Sequence, residues 1–387
     1  MYTEIFKFKD EITSLRRELH KIPESGFNEE KTSKFIRDYL DSISIKYKTY
    51  AKTGVIGYIT IDENLPSIAF RSDMDALSMH ELTKHDFKST HEGFMHACGH
   101  DGHMAMLLIF AKYMSSRKDK LTKNIVFIFQ PAEEGPGGAE VLLKEGLKED
   151  FNIMEFIGIH LYPETNAGDF SLKSGPMMAM TGEFDIEITG KSGHGAMPHK
   201  SLDAIVLSVE LIQSFQNIIS RTIDPVSPAV LTIGRMECGE RRNIIAESAI
   251  LEGTLRAFDD TVYNLIKEKM LNHAKGLEIS YGCKVNTIFR DMYPPVVNDI
   301  NLYNDFINAN KKSFNIELID PQMLAEDFSY YQKSTPGLFI FLGIRNKEKG
   351  HIFPLHSSKF NFDEEILLTG VQSYINLLEY KKILINN

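Results

Sequence analysis

Residues 101–130, DGHMAMLLIFAKYMSSRKDKLTKNIVFIFQ, join a helix-like apolar segment to an uninterrupted apolar run of strand length. DGHMAMLLIFAKYM is long enough for a helix. NIVFIFQ is short, rich in β-branched and aromatic residues, and continuously apolar, as a strand covered on both faces must be. Such a strand needs helices on both sides of its sheet, which predicts an α/β domain. Upstream, TGVIGYITI and SIAFRSDMDA read as further strands. They follow a helix carrying Ile12, Leu15 and Leu19, stopped near Pro23, and a second over 29–40 carrying Phe35, Ile36 and Leu40.

Near residue 180 the pattern changes. GEFDIEITGK alternates as a half-buried strand, SLDAIVLSVELIQSFQNIIS is amphipathic, and PAVLTIGRM and SAILEGTLRAF are strands. DTVYNLIKEKMLNHAKGLEISYG is a second long helix, and CKVNTIFRDMY closes the series. The order β-α-β-β-α-β describes a four-stranded antiparallel sheet with two helices on one face. The segment after it has too few elements for a core of its own. The expected organisation is therefore one domain of residues 1–177 and 295–387, interrupted by an inserted α+β domain of residues 178–294.

A chain of 387 residues exceeds what one core usually supports, in keeping with two domains. A hydrophobic content of 43% with 25% charged residues is that of an ordinary globular protein, and the net charge of −10 without a basic stripe excludes nucleic acid and anionic membranes as partners. The N-terminal stretch is charged throughout, no run approaches the roughly 18 apolar residues of a membrane span, and Cys98, Cys238 and Cys283 are too few and too scattered for a disulfide framework. These features predict a cytoplasmic protein.

The candidate chemistry gathers at loop positions. GFMHACGHDGHMAM, residues 93–106, holds His96, Cys98, His100 and His103. The expected strands end in Asp73 and Asp75, in Glu133 and Glu134, in His160 and in His356. Ligands collect beyond the carboxyl ends of strands in α/β sheets, and this mixture of soft and hard donors suits one or two divalent metals. Taken singly, each has a plainer reading. His160 and His356 read as hydrogen-bonded histidines, Asp73 and Asp75 as caps or turn residues, the glutamates as a solvated pair, and the Cys/His cluster as a closed structural zinc site, although it lacks a second cysteine pair. Adjacent carboxylates after a buried strand can divide the work: one binds metal while its neighbour takes a proton from water that the metal acidifies towards pKa ~7. Cys98 is a candidate bridge between two metals.

The motifs RSDMDAL, MHACGHDGHMA, FQPAEEGPGGAE, GIHL, GHGAMPH, NIIAE, LEGTLR, AEDF and LHSSKF occur in an order that resembles the aminoacylase and hippurate hydrolase branch of the co-catalytic metallopeptidases. That branch includes bacterial N-acetyldiaminopimelate deacetylases and N-acyl-amino-acid hydrolases; carboxypeptidase G and acetylornithine deacetylase are wider relatives. The resemblance implies a metal-peptidase-like α/β/α catalytic domain with a mixed sheet, and an inserted lid and dimerisation domain. It implies Cys98, His100, Glu134, His160 and His356 as ligands of two divalent metal ions, with manganese expected and zinc, nickel or cobalt as alternatives. Glu133 resembles the general base, and Asp73 and Asp75 the acidic motif supporting the metals. His194 resembles the lid histidine that stabilises the oxyanion, often across a dimer interface, and Asn243 and Arg256 fall where relatives hold the substrate carboxylate. Many wider relatives have His where this chain has Asp73 and Asp where it has Cys98, so metal preference does not transfer from the zinc-using members.

The expected activity is hydrolysis of the amide of small-molecule N-acyl-L-amino acids by a homodimer. N-acetyldiaminopimelate is the first substrate candidate, which would place the enzyme in lysine biosynthesis. A dipeptidase or carboxypeptidase acting on short peptides is the alternative within the same chemistry. A non-catalytic metal-binding protein is the alternative outside it, and the Glu133–Glu134 pair weighs against that reading.

Overall fold

In the computed structural model, which describes residues 2–385, two-residue periodicity decides which side chains reach the core. From the strands Ser67–Asp73, Asn124–Gln130 and Ile153–Asn166, the residues Ile68, Phe70, Ile125, Phe127, Phe129, Ile157, Ile159 and Leu161 enter one apolar core. Alternate side chains point to the other face, so Arg71, Asp73, Gln130 and His160 share it. These strands and Gly337–Arg345 run parallel in the middle of an eight-stranded mixed sheet. Its order is Lys46–Tyr50, Gly54–Ile59, Asn124–Gln130, Ser67–Asp73, Ile153–Asn166, Gly337–Arg345, Phe170–Leu172, Ile316–Leu318. Antiparallel pairing is confined to the Lys46–Ile59 side and to Phe170–Leu172 against Gly337–Arg345.

Helices Lys9–His20, Glu30–Ser42, His100–Ser115, Ile300–Asn310 and Leu367–Tyr380 bring Ile12, Leu19, Ile36, Leu40, Phe306, Val371 and Leu378 into the same core. His100–Ser115 is buried on all sides from His100 to Ala111, which explains its nearly continuous apolar sequence. Truncating Phe110 there would cost about 3–5 kcal/mol.

The chain divides into two compact units. The first comprises Met1–Gly175, Val297–Asp320 and Asp327–Asn387, and the second Pro176–Val296 with Pro321–Glu326. The second unit carries an antiparallel sheet in the order Ala229–Cys238, Ser248–Ala257, Met180–Thr189, Lys284–Asp291, packed on helices Ala204–Asn217 and Asp260–Tyr281 through Phe184, Ile186, Leu207, Leu211, Phe215, Leu251 and Ile266. Both helices start at an aspartate: Asp203 accepts from the Ile205 amide, and Asp259 from the amides of Thr261 and Val262. The hexapeptide Pro321–Glu326 belongs to the second unit although sequence spacing put it in the first. Its amide at Gln322 donates to the Met177 carbonyl and Ala179 donates back to Gln322, a pairing invisible to periodicity. Among the described residues no helix is long and apolar enough to cross a membrane.

Candidate metal centre

Backbone turns deliver the donors. Gly99, at φ 90°, bends the chain into helix His100–Ser115, leaving Cys98 just before it and His100 at its first position. After strand Asn124–Gln130 the chain turns through Ala132, at φ 57°, and enters helix Gly138–Lys144. At Gly138 a Cβ would lie 1.8 Å from the Pro131 carbonyl oxygen, so only glycine permits this entry. Buried Glu29 fastens the same loop: its Oε1 accepts from the Ala132 amide at 2.9 Å and its Oε2 from the Thr53 hydroxyl at 2.6 Å. His356 is itself left-handed, at φ 61°, and its amide donates to the Ala97 carbonyl at 2.9 Å, tying its loop to the one bearing Cys98. Two non-glycine residues in this sparsely populated region at one site mark a conformation that the surroundings impose.

Hydrogen bonding assigns the tautomers. His160 Nδ1 lies 2.7 Å from the Leu161 carbonyl and must donate to it, so Nε2 carries a lone pair, 3.4 Å from Cys98 Sγ. His100 Nδ1 likewise donates to the Asp75 carbonyl at 2.9 Å, and its buried Nε2 has no hydrogen bond. Asp75 Oδ2 accepts from the Glu134 amide at 2.9 Å, and buried Glu134 Oε1 lies 3.1 Å from His356 Nε2 without a hydrogen bond. Cys98 Sγ, a His100 nitrogen and a Glu134 oxygen all fall within 4.8 Å of one another. His100 Nε2 is 4.0 Å from Glu133 Oε2. Thus Cys98, His100, Glu133, Glu134, His160 and His356 are brought together, and Asp75 orients two of them.

The field there is strongly negative. Burial would lower the His100 pKa, but Asp73 and Asp75 raise it to about 10. Burial, reinforced by Glu134, Glu133 and Asp73, pushes the Cys98 thiol well above its ordinary value. A thiolate therefore needs a cation beside it. His100 Nε2 and Glu134 Oε1 are both buried without a hydrogen bond, and a divalent cation taking the place of the His100 Nε2 proton would engage both. The donor set, thiolate, imidazoles and carboxylates, fits such an ion.

Asp73 sits behind these donors. Its Oδ1 is 2.5 Å from His103 Nδ1 and its Oδ2 accepts from Arg71 at 2.7 Å. His103 Nε2 accepts from the Leu161 amide at 2.9 Å, so both of its nitrogens are occupied within the protein. The imidazole nearest the donors in sequence is thus a support. Arg71 reaches on to Gln130 and Asp327, and Asp327 also accepts from Gln130 and the Ala139 amide. Sequence reasoning assigned no role to Arg71, Gln130, Asp327 or Glu29. The available signal was a charged residue inside an otherwise apolar strand at Arg71.

In the second unit His194 pairs with Ile244 across two short strands, and the Gly195 amide donates to the Asn243 carbonyl at 2.9 Å, which makes His194 and Asn243 neighbours. The Ala196 amide donates to His194 Nδ1 at 3.1 Å, so the neutral ring keeps its proton on exposed Nε2. Arg256 is not with them. It lies near the other end of strand Ser248–Ala257, roughly 26 Å from Ser248 at about 3.3 Å per residue, where it donates to the Thr181 and Thr254 hydroxyls.

Residues 69–380 match the model of peptidase family M20/M25/M40. The chain belongs to this family. It is 36% identical to an N-acetyldiaminopimelate deacetylase of Priestia megaterium, covering 96% of this chain and 99% of that one. An Arabidopsis thaliana protein named IAA-amino acid hydrolase ILR1-like 4 is also 36% identical, over 98% of this chain and 88% of its own length. A Bacillus subtilis structure described as a dinuclear metal binding peptidase of family M20 superposes with a TM-score of 0.84 at 31% identity, covering 97% of this chain and 99% of that one. As an M20 member, the chain is a metal-dependent hydrolase of amide bonds.

Proposed function

We propose that this M20 hydrolase removes the acyl group from N-acyl-L-amino acids, N-acetyldiaminopimelate foremost, using two divalent cations, manganese by preference, held by Cys98, His100, Glu134, His160 and His356. The carrying observation is the convergence of Cys98 Sγ with ring nitrogens of His160 and His100, and of Glu134 with His356, beside a second carboxylate on Glu133. The deacetylase name of the Priestia relative supports the substrate, and the dinuclear Bacillus subtilis structure supports the metal count.

Cations bound by these donors supply Lewis acidity towards the acyl carbonyl and acidify water. Glu133 takes the proton from the attacking water as its oxygen bonds to the acyl carbon. It then passes that proton to the amide nitrogen as the C–N bond breaks, leaving a carboxylate and a free amine. His194 donates its Nε2 proton in a hydrogen bond to the developing oxyanion, worth about 2.7–4 kcal/mol by analogy with other such donors. Asn243, beside His194, holds the substrate carboxylate; Arg256, expected to share that role, lies at the other end of its strand on the Thr181 and Thr254 hydroxyls and is left out of it. Burial of Asp73 and Asp75 keeps the donor side chains in one geometry.

A homodimer through the second unit fits this reading. Ile205, Val206 and Val209 on helix Ala204–Asn217 are exposed to 41%, 58% and 56%, beside an edge strand with exposed Val230 and Met236. Three free thiols favour the reducing cytoplasm. The test is hydrolysis of N-acetyl-L,L-diaminopimelate against hippurate by manganese-loaded protein. Fast acetate release with little benzoate supports the deacetylase; the reverse makes it a general aminoacylase, and cleavage of short peptides alone overturns both. Glu133→Ala should lower turnover by about 10²–10⁴-fold with metal content unchanged, and full turnover in that variant refutes the general base.

A further inference from the structure

A second group of donors lies in the first unit, on residues that the proposed hydrolysis does not use. Buried His20 ends helix Lys9–His20, and its Nδ1 lies 2.7 Å from Asp101 Oδ2. The same oxygen accepts from Arg16 Nε at 2.8 Å, so Asp101 is an ionised acceptor and His20 Nδ1 carries the proton. That leaves His20 Nε2 facing Glu81 Oε1 at 3.4 Å. His85 Nε2 lies 3.3 Å from the same oxygen, and neither ring nitrogen of His85 makes a hydrogen bond. Glu81 is held in place by the Ser89 amide, which donates to Oε2 at 2.7 Å, and by the Thr83 hydroxyl on Oε1. The three donor atoms all lie within 4.8 Å of one another. Beside them His96, 1% exposed, also has both nitrogens without a partner, its ring centroid 6.2 Å from that of His20.

We propose that His20, Glu81 and His85 form a separate divalent-cation site, suited to zinc, that braces the N-terminal helix against the 81–89 loop and the start of helix His100–Ser115. Zinc binds imidazole and carboxylate at about 2.0–2.2 Å in tetrahedral geometry, which sets ligand atoms roughly 3.3 Å apart. The 3.3 and 3.4 Å separations match that spacing. The pairing of His20 with Asp101 is the carboxylate–histidine arrangement that orients metal-bound imidazoles. A single shared proton would serve His20 and Glu81 yet leave His85 unsatisfied, whereas a cation engages all three. Glu81 and Asp101 bring two negative charges, met by Arg16 and by the proton that these carboxylates favour on His20, and a divalent cation would take the place of that proton between His20 Nε2 and Glu81. Burial, aided by the nearby His20, brings the His85 pKa down to about 4, which leaves its ring neutral and able to bind metal at pH 7.

The experiment is crystallography of the whole protein equilibrated with zinc, with data on both sides of the zinc absorption edge, alongside metal analysis of wild type and His85→Leu. The expected result is an anomalous peak between His20, Glu81 and His85, and about one zinc equivalent fewer in His85→Leu with hydrolytic activity retained. No peak at that position, with equal zinc in the two proteins, overturns the site. The wild-type anomalous map decides the matter even if His85→Leu folds poorly, and it is independent of the substrate and of the cations near Cys98.

Discussion

Asp75 divides its oxygens between two donor side chains: Oδ2 receives the Glu134 amide at 2.9 Å, while Oδ1 lies 3.3 Å from His100 Nδ1. Asp75→Asn puts an NH2 group where one acceptor stood. It should weaken metal binding about 10–100-fold, as loss of a supporting partner does elsewhere, with the fold intact; chelator competition measures it, and unchanged affinity refutes the orienting role. Glu29 gives a pH-dependent counterpart. Burial, only partly opposed by its bond to Thr53, raises its pKa from 4.5 to about 7. A raised folded-state value means that the folded protein holds the proton more tightly than the unfolded chain. The stabilisation is therefore complete below about pH 4.5 and is lost as pH rises through 7, an effect on the order of 3 kcal/mol. Denaturant unfolding of the metal-loaded protein at about pH 5 and about pH 8 should show this loss in wild type and not in Glu29→Gln; equal slopes would exclude it.

Between strand Asn124–Gln130 and helix Gly138–Lys144, the turn carrying Glu133 and Glu134 depends on the missing Cβ of Gly138. Gly138→Ala should cost about 1–3 kcal/mol of stability, as overpacking does, and should lower activity further by displacing both glutamates; thermal unfolding and turnover measured together check this, and a variant with native activity contradicts it. This turn was legible in outline, because a continuous apolar run followed by carboxylates and glycines has few other structures. The βαββαβ unit was equally readable from alternating and amphipathic periods, whereas its helix caps at Asp203 and Asp259 emerged only in the structure. Long-range contacts were not. Glu29 acts through Ala132, 103 residues away, and His103 is taken out of the donor set by the Leu161 amide, 58 residues away. No local pattern encodes such partners. Arg256 looked like a companion of Asn243 from its short separation in sequence, but an extended strand carries it to the far end of the sheet.

The proposed action of His194 on the Glu133 site has two forms, within one chain or between two, and mixed dimers distinguish them. His194 is exposed on the second unit and keeps its donor proton on Nε2, so it can act on a site other than one formed by its own chain. In the proposed dimer through the exposed face of Ile205, Val206 and Val209, such an exchange is possible. Glu133→Ala and His194→Ala should each be nearly inactive as separate dimers. If His194 acts in trans, a mixed dimer contains one site with an intact Glu133 and the partner's intact His194, while its other site lacks both. Random reassortment of equal amounts makes half the dimers mixed, so about a quarter of wild-type activity should return, as two-fold symmetry requires. Action within one chain predicts no recovery, because every site in the mixed dimer then lacks one group. Val206→Asp with Val209→Asp should separate the chains on size-exclusion chromatography and abolish the recovery; activity that persists in those monomers would show that the dimer is dispensable for catalysis.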